Sequence, residues 1–422
     1  MAFTDPFTVR MIPRSAWFTS HFNFLFTNES DLMLGQKPKT ARAGFTFPRT
    51  AYAKFAIIVA IGFVCTLALA TPRTAIKNGQ RITFVGKIGD KYALLDLKNI
   101  EETWADPSNA WNGYMEVAGE PRYQLREKYP PPGEGLMLSI YLRTGDLDEE
   151  TPCGVLKCQL SSDHLRFDGH WNNGPTGSTV PLCFRAIASS RTIHRSAGWR
   201  VGNRGRSVFY EGAYPQFLNP TSLDRSVGQT IRTQVQHSAR NPETFRIWLG
   251  WDDLWSIIRY GSATDEWERH DEWRLTFHSN SLVSLLCDKW YYTGSAHPNY
   301  GIDSRVYWWN GHEAVLVQLS DFFVPERGWQ SKLAKLCNQE LGIQRSLRWN
   351  GNEGKPEDLE PGVDVDDLEI FTIHQDGFRF HFSPYSIGSY AEGSYEAHVP
   401  FEKIEDLLTI IGPGAALASL RN

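Results

Sequence analysis

A hydroxyl, an imidazole and a carboxylate are the minimum set for activated nucleophilic chemistry, and the sequence offers one such set in Ser295, His297 and Asp321. Ser295 and His297 flank Ala296. In an extended chain residues i and i+2 share a face, so the two would lie side by side, with Asp321 brought in from a later element to orient the ring. A serine nucleophile, however, needs a sharp G-x-S-x-G elbow and donors for an oxyanion, and the run GSAH at 294–297 supplies neither. His297 and Asp321 are therefore expected to brace a turn by hydrogen bonds or to touch a ligand. No catalytic residue is assigned.

Other chemistries are thinner still. The chain has no HExxH, P-loop, Rossmann glycine pattern or CxxC, and its histidines are scattered without metal-ligand spacing, so no metal site and no cofactor are expected. The acidic run DVDD at 364–367 lacks the full spacing of a calcium loop and reads as a solvated turn. Aromatic groups at Trp248/Trp251/Trp255, at Trp290/Tyr291/Tyr292 and at Trp308/Trp309 have flat apolar rings suited to stacking on sugars, but residues of this kind more often fill a core.

The elements that must position these residues begin with an uncharged apolar run at 55–70, preceded by Lys37, Lys39, Arg42, Arg49 and Lys54. It lacks the polar face of a buried helix, is short for a membrane span, and ends in Ala68-Leu69-Ala70, the pattern of a signal-peptide cleavage site. A cleaved signal peptide or an uncleaved anchor both place the chain beyond it outside the cytoplasm, since positive charge stays inside. From Thr71 onward 36 Lys and Arg stand against 45 Asp and Glu, a net charge near −9 that disfavours nucleic acid and suits a basic partner. Five cysteines lie beyond residue 70. Of these, Cys287 on an expected strand and Cys337 on an expected helix of the same domain are the pair expected to form a disulfide.

Short alternating runs separated by turn residues predict strands near 82–87, 91–97, 113–118, 135–143, 154–160, 164–171 and 179–186, a small antiparallel barrel or sandwich over 78–188. Residues 189–224, rich in Ser, Arg and Gly without a period, read as a linker. The second domain, 225–412, should carry an aromatic segment at 245–255 and strands at 272–278, 282–292 and 304–309. Asn310-Gly311 is its hairpin turn, 328–341 a helix, 378–382 a strand with three alternating Phe, and 401–408 a closing helix before a loose tail. The fold class is α+β: a small all-β N-terminal domain, then an α+β domain with an antiparallel sheet and one or two packed helices. Residues 1–70 form the N-terminal extension with its signal peptide or anchor.

Three motifs of the second domain resemble a known family. The run WYYTGSAHPN at 290–299 is similar to its YTGGAHPN signature. LSDFF at 319–323 is similar to its L-x-D-hydrophobic-F step. GFRFHFSPYSIGSYAEG at 377–393, with Val399-Pro400, is similar to its G-F-x-F-x-F-x-P-Y ending. The family is the extracytoplasmic domain of RsiV-type anti-sigma factors, which binds lysozyme and also accompanies the catalytic domain of PdaC-type peptidoglycan deacetylases. Ser295 departs from the pattern, which has a second glycine there. The resemblance implies a cell-envelope setting and a binding role for a protein such as a basic lysozyme, or for peptidoglycan, with no reaction. Its binding residues here would be Tyr292, Thr293, Gly294, Ser295, His297, Asp321, Tyr385 and Tyr390. The expectation is thus an exported, periplasmic or membrane-anchored binding protein that meets the membrane only through residues 55–70. A wall-active hydrolase with a pocket near His297 and a transmembrane sensor of anti-sigma type are the alternatives.

Overall fold

Period-two burial marks several strands in the first half of the chain. In β6 (Gly154–Leu160) Leu156 and Cys158 are buried while Lys157 and Gln159 face solvent, and in β8 (Ser178–Val201) Leu182, Phe184 and Ala186 are buried while Pro181, Cys183 and Arg185 are exposed. The structure, a computed structural model, describes residues 80–99, 111–120, 122–128, 136–142, 153–161, 165–173, 178–201, 204–240, 266–292, 297–348 and 362–419. Pro72 to Asn422 make one compact unit. The apolar run at 55–70, the aromatic segment at 245–255 and the loop residues Thr293, Gly294 and Ser295 lie outside the described residues. Among those described, no helix is long and apolar enough to cross a membrane.

Strands β1 (Arg81–Ile88), β2 (Lys91–Asn99), β3 (Trp111–Val117), β4 (Tyr123–Lys128), β5 (Leu136–Leu142), β6, β7 (Arg166–Asn173) and β8 pair in sequence order, each antiparallel to the next. The ladder closes where β1 meets β8, with Phe84 opposite Ala186 and Gly86 opposite Phe184. Closure removes both free edges, and the inward side chains, among them Phe84, Leu95, Met115, Leu125, Ile140, Leu156 and Phe167, fill the interior. Gly86 is required at the seam: a Cβ there would stand 2.0 Å from the Cys183 carbonyl oxygen.

Strand β8 does not stop at the barrel. From Ala188 to Val201 it pairs with β9 (Arg204–Phe217), which lies parallel to β10 (Glu266–His278). Strands β11 (Leu282–Tyr292), β12 (Asn299–Trp309) and β13 (Ala314–Leu316) then continue the sheet antiparallel. Residues 189–224, expected as a linker, are therefore the outer half of β8, β9 and the first residues of helix α1 (Ser222–Arg240). Their Ser, Arg and Gly are compatible with a ribbon whose neighbours supply the burial, so local composition did not mark it as a strand. The hairpin turn at Asn310 is present, but its loop runs from 310 to 313, with Asn310 Oδ1 accepting from the amides of His312 and Glu313.

Helix α1 was not expected from the sequence. Its start carries a capping box in which the Thr221 amide donates to Asp224 and the Asp224 amide to the Thr221 hydroxyl, at 2.9 and 3.2 Å. Leu223, Val227, Ile231 and Val235 recur every four residues and are buried against β9, β10 and β11, each contributing about 1.5–3 kcal/mol. The opposite face of β10–β12 supports a second layer made of β14 (Phe371–Ile373), β15 (Gly377–Phe382) and β16 (Tyr395–Pro400), with helix α2 (Trp329–Arg348) packed on it. Phe378, Phe380 and Phe382 of β15 all enter that core.

The expected closing helix at 401–408 is two short 3-10 turns, Phe401–Lys403 and Glu405–Leu407. The tail expected to be loose forms α3 (Gly412–Ser419), which buries Leu417. The expected Cys287–Cys337 disulfide is absent, and both thiols are free. Cys287 points into the core beneath α1, and Cys337 into the core between α2 and β14–β16. Helix α2 packs on β14–β16 and not on the sheet that carries Cys287, and Cys287 takes the face of that sheet turned toward α1 because side chains alternate along β11.

Candidate functional site

Strand β11 ends at Tyr292, and the chain re-enters the described fold at His297 and Pro298, just before β12. The His297 ring lies stacked on Tyr390, with centroids 4.0 Å apart and planes 24° from parallel. The Pro298 carbonyl accepts from both His297 Nδ1 and the Tyr390 hydroxyl, so one backbone oxygen orients both rings. Tyr385 and Tyr300 complete the group, with centroids 5.6 and 6.3 Å from Tyr390. Tyr385 is 66% exposed and Tyr300 49%, so the assembly presents aromatic faces to solvent.

The support beneath these rings is polar and specific. Tyr390 sits on a single 3-10 turn, Tyr390–Glu392, closed by Glu392, which accepts from the Ser389 amide at 2.6 Å and from the Tyr395 hydroxyl at 2.6 Å. Arg345 of α2 lies 3.6 Å from the same carboxylate. Burial disfavours the charged form, yet these partners hold the Glu392 carboxyl below its ordinary value. Tyr385 is held at φ +71°, a left-handed conformation unusual for a bulky residue. Strain of this kind gathers where a side chain is presented for use.

Of the residues predicted from sequence, His297, Tyr385 and Tyr390 come together. Tyr292 stands at the end of β11, opposite Glu268. Asp321 does not join them: its carboxylate accepts the Gln318 amide at 2.8 Å and closes the 3-10 turn Leu319–Phe322, which drives Leu319 and Phe322 into the core. Tyr300 was not foreseen, although its place at the start of β12, beside the loop, was the available signal.

A second polar cluster, also unforeseen, lies buried where the barrel meets β14–β16. Glu116 of β3 contacts His374 Nδ1 at 2.5 Å. The Thr372 hydroxyl lies 2.8 Å from His374 Nε2 and 2.7 Å from His381 Nε2, and His381 Nδ1 faces Glu396 at 3.5 Å. This is an unbroken chain of groups between two carboxylates. Arg122 bonds Glu116, and Arg379 bonds Glu396 at 2.8 Å. Burial pushes His374 down to about 4 and His381 down to about 3, so both rings are neutral at neutral pH. Burial opposes ionisation of Glu116 and Glu396 too, but the arginines and histidines around them hold both carboxyls well below the usual range.

Thr372, His374 and Glu116 have the order of an activated hydroxyl, a base and its orienting acid. Thr372 and His374 are nonetheless 0% and 1% exposed, which leaves no access for a substrate to the hydroxyl. The cluster is a clasp between barrel and C-terminal sheet.

Residues 320–402 match a family model described as "Protein of unknown function (DUF3298)". The match takes in the second motif from residue 320 and the third motif, and excludes the 290–299 segment. Among solved structures, a member of the DUF3298 family from Bacteroides fragilis NCTC 9343 is 17% identical, with a TM-score of 0.40, over 56% of this chain and 97% of that one. A DUF3298 family protein from Pseudomonas aeruginosa PAO1 is 15% identical, with a TM-score of 0.34, over 52% of this chain and 94% of that one. No curated protein matches the chain.

Proposed function

We propose that this protein is an exported binding protein of the cell envelope, without a reaction of its own, which takes a protein or a peptidoglycan fragment on the platform formed by His297, Tyr300, Tyr385 and Tyr390. The observation that carries this reading is Tyr385: a large aromatic ring held in a strained backbone conformation and left 66% exposed above a stacked His297–Tyr390 pair. The motif resemblance to RsiV-type domains, the apolar run at 55–70 and the charge near −9 beyond it support the envelope setting and a basic protein as the first candidate.

Binding of the purified protein to a basic lysozyme and to soluble peptidoglycan fragments tests the proposal. Tyr385→Ala should weaken the productive interaction by about tenfold or more, as removal of an aromatic anchor does. A protein ligand drawn by opposite charge should associate more slowly as salt rises, whereas a stacked glycan should show little salt dependence. Unchanged affinity of Tyr385→Ala for whichever ligand binds would reject the platform. Turnover of labelled peptidoglycan that is lost in His297→Ala would replace the binding reading with a hydrolytic one.

A further inference from the structure

The groove between α1 and the β8–β9 ribbon carries a run of cationic and amide side chains whose donors the fold uses only in part. Along α1, Arg225, Gln229, Arg232 and Gln236 recur at i, i+4, i+7 and i+11, one polar stripe about 16 Å long at 1.5 Å per residue. Arg191 of β8 lies across the same cavity, whose volume is about 530 Å³, within the range of small-ligand sites.

Two of the three guanidinium groups are held in place. Arg191 donates to Gln216 Oε1 at 3.1 Å, and Arg225 donates to the Pro220 carbonyl at 2.9 Å and the Ser222 hydroxyl at 3.2 Å. Each keeps N–H donors in reserve, because a guanidinium carries five. Arg232 is exposed, and its guanidinium makes no hydrogen bond or ion pair among the described residues. The acid in the lining, Asp224, is buried at 4% exposure and already bound to His278 at 2.9 Å and to the Thr221 amide, so it does not neutralise the arginines. In a chain that is net acidic beyond Thr71, this is a local excess of positive charge inside a concave surface.

We infer that this groove binds a ligand bearing two or more oxyanion groups, phosphate or carboxylate. Planar guanidinium forks match both groups bidentately, and Gln229, Thr233 and Gln236 supply further donors between them. Three cations spread along a cleft suit a multivalent anion better than a single small ion. The site lies on elements distinct from those of the aromatic platform and stands whether or not that platform binds a partner.

Calorimetric titration of the full chain at low ionic strength tests the inference, with inorganic tripolyphosphate as the phosphate probe and citrate as the carboxylate probe. Saturable binding of at least one is expected, and the stronger of the two identifies the group preferred. Arg232→Gln removes a fork that supports nothing in the fold, and it should lower affinity about tenfold, as loss of one charge-assisted contact does. Lys157→Gln, at an exposed position of β6, should leave affinity unchanged. Failure of both probes to bind saturably would overturn the inference. So would equal affinity in Arg232→Gln, or an equal loss in Lys157→Gln, which would mark general charge attraction.

Discussion

Tyr385 holds a left-handed backbone while its ring projects into solvent, so packing contributes little to offset the cost of that conformation. Tyr385→Gly should therefore raise stability by about 0.5–1 kcal/mol while weakening binding at the proposed platform by about tenfold or more, as for Tyr385→Ala. Urea midpoints and binding curves on the same preparation separate the two effects, and a destabilised variant would mean that the ring braces the turn. The buried thiols permit a second residue-scale test. Burial pushes Cys337 up to about 12 and raises Cys287 well above its ordinary value, so neither is a ready thiolate at neutral pH. Alkylation of both should need unfolding, and peptide mapping under oxidising conditions should recover both unlinked; a crosslinked peptide would contradict the separation of the two cores.

At the scale of elements, α1 depends on a cap that also reaches across to the sheet. Asp224 receives the Thr221 amide and bonds His278 of β10, and although burial works against its charge these partners hold its carboxyl below the ordinary value. Thr221→Ala should cost about 1 kcal/mol, the usual worth of an N-cap. Asp224→Ala should cost more, about 2 kcal/mol, because it also leaves His278 without its carboxylate. Chemical denaturation distinguishes them; equal losses would show that the contact to β10 adds nothing. Gly228 matters to the same element, since a Cβ there would come within 3.3 Å of the Phe217 ring that α1 packs against.

Across the whole molecule, the Glu116–His374–Thr372–His381–Glu396 cluster joins β3 of the barrel to β14, β15 and β16. Its charge balance predicts acid lability. Both histidines titrate in the fold below their unfolded value of 6.5, so the unfolded chain binds more protons as pH falls, and stability declines from about pH 6.5 down to about 4 and 3. The slope should approach about 1.4 kcal/mol per pH unit for each ring. Glu116 and Glu396, held low, contribute stability in full above the usual carboxylate range and lose it as pH falls through their folded values, which adds to the decline. Urea unfolding at a series of pH values should show this slope, reduced in His374→Gln. Stability flat between about pH 6.5 and 4.5 would contradict buried neutral histidines.

Much of the local structure was legible because it rests on local physics. Short runs bounded by turn residues at 82–87, 91–97 and 154–160 mark strands whatever they pack against, and the Gly328–Trp329 start of α2 reflects a left-handed glycine before an apolar helical stripe. The motif residues His297, Tyr385 and Tyr390 were likewise identifiable as a set. What the chain could not show locally is which faces and partners the elements acquire. Whether Cys287 looks toward α1 or α2 depends on the face on which each layer docks. Whether Ser- and Arg-rich residues 189–201 make a linker or a strand depends on β9 arriving beside them. Whether Glu116 and His374, 258 residues apart, form a clasp depends on the barrel wall closing over β14–β16. Burial and charge pairing are properties of contacts distant in sequence, and only the tertiary structure sets those contacts.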